Sequence, residues 1–361
     1  MQLSQLVKIL VALLPILLTI SPSVLFAETS IASWNTEHLS IRPTKDFQSI
    51  SKIAKSADIL AIQELMSEEA LGHLADSLTR ETKEHWSYLA SHAVGRSSYK
   101  EMYGFVWRDS AVRYEDGAVV YLDKHDIFER EPFSARFHSL RDKSDFVVAT
   151  VHVIYGKGQA DRSTEIEALS DYWAWLADVY QGTPRMFLVG DFNTPPSSPA
   201  WNSLKQMATP LLTSGASTLS EKDGKFANLY DNIFVSNADP LRNSSAKVIN
   251  YPKILGISHQ QGRKTVSDHA PVIITADLTK PAKSQQIAAR PATAPAAKAE
   301  KAAKPDKPSS LDPIRGNRKS LAYHKPGCPS YDSISSKNLV EFPNEQAAIS
   351  SNYHLAGNCR I

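Results

Sequence analysis

Two packed β-sheets with helices on their outer faces are the architecture this sequence predicts. Three observations lead there. Apolar runs of strand length outnumber helical stripes. The strands come in clusters and do not alternate strictly with helices, which disfavours a doubly wound parallel sheet. The 361 residues are 42% hydrophobic and 22% charged, an ordinary globular balance that excludes wholesale disorder and a polytopic membrane protein.

In chain order, residues 30–34 read as a first strand. Phe47, Ile50, Ile53 and Ala54 then recur at helical spacing across 45–56. Residues 59–62 form a short apolar strand that ends at Gln63-Glu64, and 68–78 form a second helix. Strand patterns follow at 86–90, 103–107, 117–122, 133–137 and 146–153. The longest helix spans 163–180, with Ile166, Leu169, Trp173, Leu176 and Tyr180 on one stripe. Strands at 187–189, 232–235 and 272–275 complete the segment 28–278. A core of about 250 residues buries roughly three-quarters of its unfolded surface and folds without staples. No internal repeat is present.

The two ends differ in character from this core. Lys8, the uncharged and mostly apolar run 9–20, the break at Ser21-Pro22-Ser23 and the small Ala27 read as a secretory signal over 1–27. The run of 12 is short for a bilayer span, which takes about 20 residues. The expectation is an exported protein, secreted or periplasmic, with no membrane anchor after cleavage. Residues 281–310 hold ten Ala, five Pro and six Lys or Arg, so 279–320 reads as a solvated linker. Residues 281–320 carry a net charge of +6, against +2 for the whole chain. The basic charge therefore sits on the tether and leaves the rest at about −4, which argues against a core that holds nucleic acid by charge alone. Order is expected to resume near Leu321, in a small module over 321–361. That module holds the only cysteines, Cys328 and Cys359. In an oxidising compartment a bridge between them is the simplest reading, with zinc or free thiols as alternatives.

The residues that carry chemistry stand at strand ends. Gly190-Asp191-Phe192-Asn193 follows an apolar strand, and extended backbone points Asp191 and Asn193 to one side. Ser267-Asp268-His269 precedes another strand, and Gln63-Glu64 closes a third. Acidic residues closing several strands can converge on one rim and hold a hard cation by oxygen. Taken singly these features are ordinary, because an Asp after a strand is commonly a turn or a cap and a lone His such as His152 is commonly structural. Order makes them specific: Trp34-Asn35, Gln63-Glu64, Thr150-Val151-His152, Gly190-Asp191-Phe192-Asn193, Tyr230-Asp231-Asn232, and Ser267-Asp268-His269-Ala270-Pro271.

With those six segments in that order, the chain resembles the endonuclease/exonuclease/phosphatase superfamily over residues 30–277. Within it, the run from Gly95 to Arg108 and the segment Phe128-Glu129-Arg130-Glu131-Pro132 are similar to the deoxyribonuclease I branch. The resemblance implies a four-layer α/β/β/α sandwich with the active site at one edge of the paired sheets. It places Asn35, Glu64 and Asp268 around a divalent cation, magnesium with calcium or manganese as alternatives. Asp191 and Asn193 fall nearby, on the scissile phosphate or a second ion. His152 is oriented by Glu101 and His269 by Asp231. It assigns His269–Asp231 as base and His152–Glu101 as acid, with the reverse direction open. Arg96, Tyr99 and Arg130 are implied to touch DNA. The tail is similar to a small module appended to bacterial secreted nucleases, a degenerate zinc-binding domain in which only Cys328, Cys359, His324 and His354 are available as ligands.

The implied activity is metal-dependent hydrolysis of double- or single-stranded DNA with little sequence preference, by a monomer. A phosphatase or sphingomyelinase of the same superfamily is the competing enzyme, which the Gly95–Arg108 run disfavours. A non-catalytic binding protein on the same fold would be expected to lack some of the catalytic set, and none is missing. Two departures stand out. Met66 and Glu37 occupy positions where the family carries arginines, which implies a weaker grip on duplex or a changed groove preference. The loop from Thr194 to Pro199 lacks the family's cysteines and relies on three prolines.

Overall fold

The computed structural model describes residues 28–279 and most positions between 313 and 356. The expected signal 1–27, the stretch 280–312 and Cys359 lie outside the described residues. The described residues fall in two compact units, one before and one after that stretch.

In chain order the strands of the larger unit are β1 (Thr29–Leu39), β2 (Ile59–Leu65), β3 (Trp86–Ala90), β4 (Met102–Arg108), β5 (Val112–Val120), β6 (Phe133–Ser139), β7 (Ser144–His152), β8 (Arg185–Asp191), β9 (Ala208–Pro210), β10 (Asp231–Ser236), β11 (Lys247–Val248) and β12 (Val272–Ala276). They form two six-stranded sheets, ordered β11-β12-β1-β2-β4-β3 and β5-β6-β7-β8-β10-β9. Only β1–β2 and β7–β8 are parallel; the other pairs are antiparallel.

Alternation along the strands builds the layers. On β2, Ile59 and Ala61 face the opposite sheet, where they meet Phe105, Phe133, Phe137, Val148 and Val189. Leu60 and Ile62 face outward, against Ile50 and Ile53 of α1 (Phe47–Ala54) and Leu71, Leu74 and Leu78 of α2 (Glu68–Thr82). The outer face of the second sheet, with Val147, Ala149, Leu188 and Phe234, is covered by Ile166, Leu169, Trp173 and Leu176 of α3 (Gln159–Val179). The order helix, sheet, sheet, helix is the four-layer sandwich that the sequence predicts. The helices start where the caps allow: Asp46 accepts from the Ser49 N–H and Ser67 from the Ala70 N–H, each satisfying an otherwise orphaned donor.

Several boundaries differ from the sequence reading. The strand expected at 117–122 is Val112–Val120, because its hairpin with β6 opens at Val112 opposite Ser139. Exposed Arg113, Glu115 and Asp116 and two register irregularities hide that start. Strand β1 continues past Asn35 to Leu39, which pairs with Leu65 after an irregularity. Strands β9 and β11 and the short helices Tyr251–Leu255 and His259–Thr265 are too brief to show a period.

The smaller unit carries β13 (Ile314–Asn317), β14 (Ala322–His324), β15 (Leu339–Phe342) and β16 (His354–Leu355), ordered β15-β13-β14-β16. Strand β13 lies inside the segment 279–320 that reads as linker, so the onset of order near Leu321 is placed too late. The reason is Gly316, where an added Cβ would lie 2.7 Å from Phe342 and Tyr353 ring atoms; the strand packs without apolar alternation of its own. Cys328 is buried there. The bridge and zinc expectations both need Cys359, outside the described residues.

Candidate active site

The topology brings six strand ends to one edge. Strands β7 and β8 are parallel and in register, so His152 lies beside Asp191. Strand β10 runs the other way and sets Asp231 opposite Asp191. In the facing sheet, β1 and β2 bring Asn35 beside Gln63, next to Glu64, and antiparallel β12 begins just after Asp268-His269. Residues from both sheets therefore line one open cleft of about 1030 Å³.

Gly190 permits the closest approach. It holds φ +149°, and a Cβ would sit 1.9 Å from the Val151 carbonyl oxygen, so no side chain fits. Glu37, His38, Glu64 and Asn193 all hold positive φ without being glycine. Left-handed backbone concentrated at one locus is a recurring feature of functional sites.

Two imidazoles occupy the floor. His152 Nδ1 bonds Glu101 Oε1 at 2.7 Å and His269 Nδ1 bonds Asp231 Oδ2 at 2.8 Å. The Nε2 atoms, left to face the cleft, converge on Asp191 Oδ2 at 3.6 and 3.5 Å. Burial works against charge on both rings. Glu101 nonetheless holds His152 above its ordinary pKa against Arg130, and Asp231 with Asp191 holds His269 well above it. Burial also works to raise Asp191, but His269, His152, the Asn193 N–H and the Asn35 amide bring it below the usual carboxylate range. Asn193 donates its backbone N–H to Asp191 Oδ1 and its amide to the Val153 carbonyl, which fixes the carboxylate between the rings.

The candidate cation ligands divide. Glu64 and Asp268 carry partly exposed carboxylates, at 3.9 Å from His152 Nε2 and 4.0 Å from His269 Nε2. Asn35 instead donates its amide to Glu64 Oε1 at 2.9 Å and to Asp191 Oδ2 at 3.0 Å, and its Oδ1 accepts the Glu37 N–H. In this arrangement it braces two carboxylates rather than offering oxygen to a metal. Glu37 adds a third negative group. Its Oε2 is buried with no hydrogen-bond partner, and the Lys45 ammonium is 4.0 Å away. Burial, with Asp268 and Glu64 beside it, pushes Glu37 up to about 7. Hard oxygen donors with uncompensated negative charge suit a hard divalent cation, so the residues present fit one.

The expected DNA contacts are placed differently from one another. Tyr99 lines the cleft, 39% exposed, and donates to Glu101 Oε2 at 3.2 Å. Arg130 is 7% exposed, and its Nε is engaged by Glu101 at 3.3 Å and the His152 carbonyl at 3.2 Å. It serves the His152–Glu101 pair and does not stand free for a backbone phosphate. Arg96 ties its loop to the Phe128 carbonyl at 3.0 Å and Asp126 at 3.2 Å. Ser217, which sequence reasoning missed, donates to Asp231 Oδ2 at 2.6 Å while its Oγ accepts the Asp231 N–H; no motif marks it. The proline loop is braced as well as stiff, with Trp201 donating to the Pro195 carbonyl.

Fold and site together define a class, and sequence comparison agrees. Residues 32–269 match the Endonuclease/Exonuclease/phosphatase family, and the chain belongs to that family. It is 45% identical over 268 residues to a deoxyribonuclease of Thioalkalivibrio sp. (strain K90mix), covering 72% of this chain and 74% of that one. It is 29% identical over 278 residues to deoxyribonuclease-1 of Oryctolagus cuniculus, covering 73% and 95%. The fold is similar to that of an endonuclease/exonuclease/phosphatase family protein of Bacteroides thetaiotaomicron, with a TM-score of 0.50 at 15% identity over 69% of this chain and 97% of that one.

Proposed function

We propose that the protein is an exported, divalent-metal-dependent endonuclease that hydrolyses DNA to 5′-phosphate and 3′-hydroxyl ends with little sequence specificity. The observation that carries this is the convergence of two imidazoles, each backed by its own carboxylate, on the single Asp191 oxygen. Relatives named deoxyribonucleases support DNA as the substrate. The apolar segment 1–27 and the paired cysteines Cys328 and Cys359 support export, with the two cysteines bridged.

Phosphodiester hydrolysis needs a proton taken from water and a proton given to the leaving 3′-oxygen. His269 is assigned the first task. Asp231 holds its Nδ1–H, so Nε2 is the basic atom aimed at the cleft. His152 is assigned the second. Its charged form is favoured by Glu101, which in turn is held by Arg130 and Tyr99. Asp191 stabilises positive charge on either ring and keeps both Nε2 atoms at one phosphate-sized locus. Glu64 and Asp268 would hold the cation, with Glu37 near them, and the cation supplies neutralisation of charge developing on the phosphate oxygens. Contacts by Tyr99 position the backbone without reading bases, which accounts for weak sequence preference.

The test is a plasmid-nicking assay of the purified protein with magnesium, with chelator, and with His152→Ala and His269→Ala. Magnesium-dependent nicking that both substitutions remove supports the reading. Nicking in chelator, or full activity in either variant, overturns it.

A further inference from the structure

Three residues beyond His152, the cleft wall carries Tyr155, which is 61% exposed. A phenol ring so open beside a polar cleft is costly unless something covers it in use. One face is already spoken for: the Arg162 guanidinium lies 4.3 Å from the ring centroid. Arg162 is locked there by donating its Nε to the Tyr155 carbonyl at 2.8 Å and an Nη to the Asn193 carbonyl at 3.2 Å. It makes no ion pair with a carboxylate among the described residues. The platform is thus rigidly tied to the loop that carries Asn193. It presents a flat aromatic face and an uncompensated cation within one nucleotide's reach of the two imidazoles.

We propose that Tyr155 and Arg162 form a nucleotide subsite at the rim of the cleft. There the ring stacks on an unpaired base of single-stranded DNA, and the guanidinium meets the phosphate next to the scissile one. The inference rests on the proposed nuclease reading and adds the strandedness of the preferred substrate. The chemistry is specific in two ways. A base in a duplex has both faces buried by its neighbours, so an isolated aromatic face rewards only a base that is out of the stack. An arginine held over a tyrosine keeps its outward N–H groups for an anion while its own face strengthens the ring's stacking.

The test uses the full chain and two readouts. The first is kcat/KM on a single-stranded oligonucleotide and on a hairpin duplex. Tyr155→Ala is expected to lower the value for the single strand about tenfold more than that for the duplex, as loss of one base–aromatic stack requires. Tyr155→Trp is expected to restore the ratio, and Tyr155→Leu, equally apolar but without a π face, is not. The second readout is 2-aminopurine fluorescence of a labelled single strand in chelator. It is expected to be quenched by the wild type and by Tyr155→Trp, but not by Tyr155→Ala. Equal losses on both substrates, rescue by leucine, or unchanged quenching in Tyr155→Ala overturns the subsite. A wild type that cleaves no DNA overturns the nuclease reading, and the quenching experiment still decides the platform.

Discussion

Replacing Glu101 by glutamine isolates the charge behind His152. Glu101 is 1% exposed and takes three donors: His152 Nδ1 at 2.7 Å, Tyr99 Oη at 3.2 Å and Arg130 Nε at 3.3 Å. Removing one partner of a buried ion pair costs about 3–5 kcal/mol. Glutamine keeps one acceptor oxygen, and Arg130 keeps the His152 carbonyl, so a cost of about 3 kcal/mol is expected. For a domain of this size that lowers Tm by roughly 6–12 °C. The effect on activity has a sign as well as a size. Burial and Arg130 both work to neutralise His152, and Glu101 is the strongest influence holding it charged. Without that charge the ring deprotonates at lower pH. A proton donor must be charged, so the alkaline limb of kcat/KM against pH moves toward acid, and kcat at pH 7.5 falls about 10²-fold. The raised pKa of His152 contributes stability that is present below about 6.5 and lost as pH rises through the raised native value. The Tm gap between wild type and Glu101→Gln therefore narrows with rising pH. Melting curves and pH–rate profiles on one oligonucleotide measure all of this. A lowered Tm with an unmoved alkaline limb would refute the assignment of His152 as a donor tuned by Glu101.

His152→Ala and His269→Ala are each expected to lose about 10²–10⁴-fold in nicking with the fold intact; near-normal activity in either, by gel, rejects its role. Product ends are expected to accept kinase label only after phosphatase treatment, and labelling without it contradicts the 5′-phosphate assignment. Gly190→Ala meets the Val151 carbonyl at 1.9 Å and is expected to lose about 3 kcal/mol, read as a Tm drop of roughly 6–12 °C; an unchanged Tm refutes the close approach. Deleting 281–361 removes a net of +6 within 281–320 and is expected to flatten the slope of log K against log salt, which is about −0.9 per phosphate contact on duplex. Identical slopes would show that the tether only separates the two units.

Much of the site was legible because its residues sit in short ordered motifs at strand ends, and strand ends are where two stacked sheets must share an edge. His152, Asp191 and Asp231 could be paired by motif order before β7, β8 and β10 set them in register. The long stripe of α3 was equally visible, because Ile166, Leu169, Trp173 and Leu176 follow one period. What stayed hidden had no period or motif to carry it. Ser217 reaches Asp231 from an irregular loop. The direction of the Asn35 amide depends on its neighbours Glu64, Asp191 and Glu37. Arg130 read as a surface cation because composition cannot reveal that Glu101 and the His152 carbonyl enclose it. Tyr155 carries no pattern at all, and only the position of Arg162 over its ring distinguishes it from any loop tyrosine. Strand β13 was absorbed into the linker because its four residues include Gly316 and Arg315, whose fit depends on Phe342 and Tyr353 far along the chain.

The central claim is that a cation and the two imidazoles at the sheet edge cut DNA. Its most direct test is the rate at which purified protein nicks supercoiled plasmid as magnesium is titrated in, with the wild type and the His152→Ala/His269→Ala double variant side by side. The account predicts saturable, chelator-reversible nicking by the wild type and none by the double variant. Nicking that persists in chelator or in the double variant would contradict it, as would a protein that hydrolyses phosphate monoesters and leaves the plasmid supercoiled.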